Sequence, residues 1–339
     1  GELMSYATTA ALQTGLEPIR PGAHIERIES LAGDASARTF RRVHLSDGSF
    51  LVAMSTPTPP IGDGGQDFLA VGRHLQGAGV AVPTIEHTDL RSGLTWVEDL
   101  GDDLLENHCL ARHPERRPLY RRALAELIRI QHRARRHPGT SPALSRSFDT
   151  ATFLRELRFF SEHTLEGLFR LGLSGPVRTE LDRIFADIAE TLATCEPVLC
   201  HRDYHCRNLM VQGDRLRVID FQDARLGPAA YDLASLLHDP YAMLEDDFRE
   251  TLLEDYRAMC AEAGEDVAPD LEDQLALATV QRCLKAAGTY GYQVIHRKRH
   301  HYRRALGPAL ASVGAQLDAL PRHRKALQSL LTDCEERLA

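Results

Sequence analysis

His201-Arg202-Asp203-Tyr204-His205-Cys206-Arg207-Asn208, with Asp220-Phe221 twelve residues beyond Asn208, is the stretch that decides how this chain is built. Between the two lie an apolar run, Leu209-Met210-Val211, a turn, Gln212-Gly213-Asp214-Arg215, and an alternating run, Leu216-Arg217-Val218-Ile219. The pattern predicts a β-hairpin that Asn208 enters and Asp220 leaves. Antiparallel partners set the start of one strand beside the end of the other, so two oxygen donors converge on one point, as a hard cation such as Mg²⁺ requires.

The order and spacing resemble the signature of kinase-fold phosphotransferases. That resemblance implies that Asp203 accepts the proton of a substrate hydroxyl, Asn208 holds one Mg²⁺, and Asp220 holds the Mg²⁺ that bridges the nucleotide phosphates. The spacing also leaves open a zinc site made of Cys200, His201, His205 and Cys206, since the two histidines stand four apart. Against it, apolar Val198 and Leu199 lead into Cys200 and point to a buried thiol.

At 339 residues with 43% apolar side chains, the chain suits two lobes around an ample core. A net charge of -8 and a pI near 6.1 argue against a broad nucleic-acid footprint. Residues 296–304 are locally basic, a run that reads first as a solvated helix face. Seven scattered cysteines fit free thiols in a reducing compartment better than a disulfide framework. No apolar run nears the roughly 18 residues that span a bilayer, and the N-terminus lacks a signal-peptide core. The expectation is a cytoplasmic protein with no membrane and no obligatory protein partner.

Three strands are expected at 24–31, 39–45 and 50–54, the last two joined by Asp47-Gly48. A helix at 66–76 and strands at 80–86 and 94–98 complete a small N-terminal lobe, 1–97, of five strands and one helix. Residues 98–102 then form a hinge whose backbone, at Glu98 and Leu100, meets an adenine. Helices at 118–136, 150–171, 177–194, 231–237, 244–263 and 271–288 build a large lobe, 103–339. The fold class is α+β, bilobal and protein-kinase-like.

Between the first two strands, Gly33, Asp34, Ala35 and Ser36 make a loop of small residues that lets backbone N–H groups approach phosphate oxygens, with Arg38 adding charge. The third strand should carry a lysine for the phosphates. Val52-Ala53-Met54-Ser55 has none, and the chain holds three lysines against 37 arginines. Arg38, Arg41 and Arg42 are the replacements at hand, and the small-lobe helix offers only Asp67 where a glutamate is usual. Asp223 is a further carboxylate for metal or substrate. Asp232 should open a helix and brace the catalytic loop by accepting its N–H groups.

These residues resemble the aminoglycoside phosphotransferase and choline-kinase-like superfamily, whose His-x-Asp-x-His-x₂-Asn loop is matched by His201, Asp203, His205 and Asn208. The nearer likeness is to the bacterial N-acetylmuramate/N-acetylglucosamine anomeric kinases of cell-wall recycling. It is carried by Gly33 to Ser36 with Arg38 and 40–43, by 200–210, by Asp220-Phe221-Gln222-Asp223-Ala224, and by Gln281-Arg282-Cys283-Leu284-Lys285. The resemblance implies an ATP-dependent, Mg²⁺-requiring kinase acting on C1 of a small amino sugar, with His201 structural, and it tolerates the missing lysine. Candidate sugar contacts are His205, Asp223, Glu156, Arg158 and Tyr290. Kinases of another hydroxyl, such as a choline or an aminoglycoside, and a nucleotide-binding regulator without turnover are the rival readings.

Overall fold

A computed structural model describes residues 6–31, 38–57 and 65–339. The expected phosphate loop, Gly33, Asp34, Ala35 and Ser36, lies outside the described residues. The N-terminal part is an antiparallel sheet of β1 (Ile25–Ser30), β2 (Thr39–Leu45), β3 (Phe50–Ser55), β4 (Ile85–Asp89) and β5 (Leu94–Val97), in the order β1-β2-β3-β5-β4. Strand alternation sends Val52 and Met54 into the large core shared with the helical part. Val43, Ala53 and Trp96 go into a small core on the other face.

Helix α1 (Thr9–Leu16) roofs that small core with Leu12 and Leu16, one turn apart, after an N-cap in which Thr8 Oγ1 accepts from Ala11 N–H. The sequence reading did not include it, because two apolar anchors in eight residues give little periodicity. Helix α2 (Gln66–Gly77) packs on the inner face through Phe68, Leu69, Val71 and Leu75. The strand expected at 80–86 sits later. Pro83 has no N–H to give a ladder. Val80 and Val82 bury themselves in the large core, the Ala81 N–H donates to Glu126, and only 85–89 pairs with β5.

The helical part comprises α3 (Arg116–Ile128), α4 (Thr150–Phe160), α5 (Gly175–Ala193), α6 (Ala229–Leu237), α7 (Asp246–Glu262), α8 (Leu271–Arg297), α9 (Arg303–Gly314) and α10 (Arg324–Leu338). Helices α3 and α4 each run on into a π-helical turn, 129–134 and 161–168. Two small antiparallel pairs, β6 (Pro197–Cys200) with β9 (Arg225–Pro228) and β7 (Leu209–Gln212) with β8 (Arg215–Val218), carry the catalytic-loop region. The expected hairpin is thus present, turning at Gly213 with φ +63°.

Helix α8 does not stop at Gly288. A Cβ at Gly288 would lie 2.8 Å from the backbone N and Cα of Phe160, and one at Gly291 would run into the Thr164 side chain. The two glycines let α8 lie directly against α4 and its π-helical extension, where Thr164 Oγ1 donates to Ala287 O at 2.6 Å. They serve close packing inside a helix rather than its end.

Candidate active site

The catalytic loop leaves β6 and is pinned before it reaches the cleft. Asp232, fully buried on the first turn of α6, accepts the His201 and Arg202 N–H groups at 2.6 and 3.0 Å. Burial raises the Asp232 pKa, against the pull of His201 and these two backbone bonds. His201 Nε2 lies 2.7 Å from Ile219 O while its Nδ1 accepts the Asp203 N–H at 3.1 Å, so one buried ring ties the loop to the far end of the hairpin. Arg202 has φ +93° and Asp220 φ +58°. Two non-glycine residues in left-handed conformations flank the same point, a pattern of strain that clusters at working sites.

Asn208 Nδ2 donates to Asp203 O at 2.8 Å and stands 3.3 Å from Asp220 Oδ2. The amide nitrogen is so engaged, and among the described residues no hydrogen bond is made to Oδ1. An amide oxygen and a carboxylate side by side form a hard donor set of the kind Mg²⁺ takes, with phosphate and water completing the shell. Gln222 Nε2 donates to Asp220 Oδ1 at 2.7 Å and orients it. Phe221, fully buried, stacks on Phe68 of α2 at 5.2 Å, and Arg146 joins Asp67 of α2 to the Gln222 and Ala224 carbonyls.

Two cavities are lined in part by this loop. The larger, about 490 Å³, lies between the sheet and the hairpin, with Val52, Val97, Met210, Ile219 and Phe221 as apolar walls and Asn208 and Asp220 at its inner end. Segment 98–102 forms its rim. Leu100 lines it, and among the described residues no hydrogen-bond partner is found for the Leu100 N–H. The Glu98 carboxylate turns away to Arg217, 2.7 Å distant, which holds its pKa below the ordinary range.

The three arginines offered in place of a strand lysine divide sharply. Arg42 is spent on Asp99 and Asp102, at 2.6 and 3.0 Å, fastening β2 to that rim. Arg41 faces the opposite side of the sheet, on Ala7 O and Ser55 Oγ. Arg38 alone of the three lines the large cavity, over Phe68 at 5.2 Å and against Met54 Sδ. Met54 occupies the inward position two residues after Val52.

The smaller cavity, about 190 Å³, opens beyond Asp203 between the end of α6 and the middle of α8. Arg282 Nη1 lies 3.4 Å and Lys285 Nζ 3.7 Å from Asp203 Oδ1. Burial by itself would raise the Asp203 pKa, but Lys285 and Arg282 outweigh it and hold the carboxyl well below its usual range. Burial likewise works against the charge on Lys285, which Tyr231, Asp203 and Glu156 preserve. Glu156 itself is a buried counter-ion 2.9 Å from Lys285 and lines neither cavity. Tyr290 and His205 do line the smaller cavity, the His205 pKa being lowered chiefly by burial.

Besides Glu156, which was also expected to touch the sugar, two further expected contacts lie elsewhere. Arg158, two residues and some 200° around α4 from Glu156, is exposed on the outer face. Asp223 is exposed past the Asp220 turn and lines neither cavity. The zinc alternative fails on direction. Cys200 Sγ points to Pro228 O, His201 is taken by Ile219 O, and Cys206 pairs with Cys109. Arg282 and Lys285 had no assigned role in the sequence reading, and their signal was there to find: Lys285 is one of three lysines in the chain.

Comparison with known proteins agrees with this geometry. The N-acetylmuramate/N-acetylglucosamine kinase of Pseudomonas aeruginosa is 32% identical over 316 residues, covering 87% of this chain and 89% of that protein. The protein of that name from Neisseria meningitidis is 30% identical over 282 residues, 80% of each. Among solved structures, a choline/ethanolamine kinase family protein from Mesorhizobium loti superposes with a TM-score of 0.62 at 16% identity, over 95% of this chain and 99% of that one. An ADP-bound aminoglycoside phosphotransferase gives 0.57 at 15% identity, over 89% and 96%. These two likenesses carry the bilobal kinase-like fold. The profile of the phosphotransferase enzyme family matches residues 27–269, and the chain belongs to that family.

Proposed function

We propose that this phosphotransferase moves the γ-phosphoryl group of ATP to the anomeric hydroxyl of N-acetylmuramic acid, N-acetylglucosamine or both. In this reading 98–102 is the hinge between lobes 1–97 and 103–339, the large cavity takes the nucleotide and the small one the sugar. Asn208 and Asp220 would hold Mg²⁺, which supplies charge neutralisation at the phosphates. Asp203, in the lining of the small cavity and joined through its carbonyl to Asn208, receives the hydroxyl proton. Arg38 supplies a cation near the phosphates from the residue before β2, without the geometry of a strand lysine.

The observation that carries the choice of acceptor is the charge of the small cavity. Asp203 is the one carboxylate in its lining, and Arg282 and Lys285 stand beside it. A cationic acceptor such as a choline or an aminoglycoside would meet two fixed cations for a single anion, which works against such substrates. A neutral or anionic sugar meets no such penalty. The curated relatives named above act, by name, on sugars of that kind. An Asp held strongly ionised is a weak base, and it suits the anomeric hydroxyl, the most acidic one a sugar offers. The convergence of Asp203, Asn208 and Asp220 supports turnover rather than a silent regulator.

The test is a product analysis. Phosphorylation at C1 blocks ring opening, so reducing ends should disappear in step with ATP. A product that keeps its reducing power, or whose phosphorus signal couples to a C6 methylene, would refute the anomeric assignment.

A further inference from the structure

Asp67, the acid that α2 offers, meets no strand lysine and pairs with an arginine of the helical part. Its Oδ2 accepts from Arg146 Nη1 at 2.7 Å. Arg146 lies between the short turn 142–144 and α4, and its backbone is fixed at both ends: its N–H donates to Pro142 O at 3.2 Å, and its carbonyl accepts the Leu226 N–H at 2.9 Å. From that anchor Nη2 reaches two further carbonyls, Gln222 O at 2.8 Å and Ala224 O at 3.1 Å. One planar guanidinium thus joins α2 to the residues that follow Asp220, a task its several donors in a rigid plane suit better than an ammonium.

The same helix holds that segment by packing. Phe68 stacks on Phe221, and at Gly72, one turn further along α2, a Cβ would lie 3.0 Å from the Phe221 ring. Asp220 has φ +58°, a conformation that a non-glycine residue keeps only where its surroundings fix it. Gln222 Nε2 fixes the carboxylate by donating to Oδ1 at 2.7 Å, and Gln222 is itself held at its carbonyl by Arg146. A chain of contacts therefore runs from Asp67 through Arg146 and Gln222 to Asp220, each link a hydrogen bond of 2.8 Å or less. In a protein kinase the helix acid pairs with the strand lysine on the phosphates. Here the acid of the helix is tied to the metal side of the site.

We propose that Asp67 and Arg146 are positioning residues for Mg²⁺, an ion pair that stands in for the missing lysine pair by coupling the seat of α2 to the placement of Asp220. This rests on Asp220 being a metal ligand. Groups that orient a ligand from behind set metal affinity, and losing one weakens it by about 10- to 100-fold. Arg146 acts on the segment after Asp220 directly and Asp67 acts only through Arg146, so their effects are unequal and do not add.

The test compares the wild type with Asp67→Asn, Arg146→Gln and the double variant. Calorimetry titrates ATP into each protein with and without Mg²⁺, and rates give the Mg²⁺ concentration for half-maximal turnover. Arg146→Gln should weaken Mg²⁺-dependent ATP binding and raise that concentration by about 10- to 100-fold. Asp67→Asn should do the same by less, and the double variant should go no further than Arg146→Gln alone. Affinity for metal-free ATP and KM for the sugar should stay unchanged in all three. The Asp67 side chain is 34% exposed and asparagine keeps its shape, so Asp67→Asn decides the matter if Arg146→Gln fails to fold. A lowered thermal midpoint with an unaltered Mg²⁺ requirement would make the pair a structural clamp and overturn the proposal. Fully additive losses would also overturn it, since Asp67 would then not act through Arg146. In both cases the metal reading of Asp220 stands. If Asp220→Ala leaves Mg²⁺-dependent ATP binding intact, that reading falls and the proposal falls with it.

Discussion

At the scale of single residues, the site turns on one carboxylate held between opposing demands. Asp203 lines the small cavity with its charge preserved by Lys285 and Arg282, while Lys285 is itself balanced by Glu156 from α4. Asp203→Asn keeps the shape of the side chain and leaves the large cavity untouched, and should retain nucleotide affinity while losing turnover by about 10²- to 10⁴-fold. Full activity in that variant would end its role as proton acceptor. Lys285→Met leaves Glu156 buried beside a neutral chain, so it should cost stability by up to about 3 kcal/mol and lower kcat as well. Adding Glu156→Gln removes the stranded charge and should return most of the denaturation midpoint without restoring kcat. Recovery of both together would mean that Lys285 acts on the fold alone. The role of Lys285 was hidden in the sequence because its partners lie 129 and 82 positions away, on elements that only the fold brings together.

At the scale of elements, the catalytic hairpin was legible and the packing of α8 was not. Asn208 and Asp220 could be paired from local pattern alone, since apolar alternation and a glycine turn fix an antiparallel register without help from the rest of the chain. Gly288 and Gly291 carry the opposite lesson. Read locally they mark a helix end, and only the proximity of the Phe160 backbone reveals that they permit a close crossing. The same limit applies to Arg158, which shares α4 with Glu156 but faces solvent. Gly288→Ala should therefore push α8 away from α4, destabilise the protein by about 1 to 3 kcal/mol despite the better helix propensity of alanine, and reduce kcat by displacing Arg282 and Lys285. A denaturation midpoint at or above the wild-type value would contradict the close-packing role. The brace from α6 is testable in the same way. Asp232→Asn replaces one acceptor oxygen with a donor facing an N–H, and should cost about 1 to 3 kcal/mol with a larger loss of turnover than of nucleotide affinity.

For the whole molecule, the large cavity is shared: its apolar roof belongs to β3 and β5, and its polar end belongs to the hairpin of the helical part. Arg42 on Asp99 and Asp102, and Arg217 on Glu98, already fasten the two parts along the rim, so the geometry of the cleft depends on both. The bilobal plan could be read from the order of strands and helices, whereas the division of labour among Arg38, Arg41 and Arg42 could not, because Arg41 and Arg42 occupy opposite faces of β2 and Arg38 stands just before it. A nucleotide bridging both parts should stabilise the folded state by mass action, by about 2.7 kcal/mol at a concentration 100 times its Kd. In the wild type most of that rise in Tm should require Mg²⁺ together with ATP. Asp220→Ala removes a direct oxygen donor from the point where Asn208 and Asp220 converge, so it should abolish the Mg²⁺-dependent part of the rise while leaving the small effect of metal-free nucleotide, which rests on the apolar walls and the rim. Asp203→Asn, by contrast, should keep the full rise. An undiminished Mg²⁺-dependent rise in Asp220→Ala, read by differential scanning calorimetry, would remove Asp220 from the metal site. A lost rise in Asp203→Asn would place the proton acceptor among the nucleotide's own contacts.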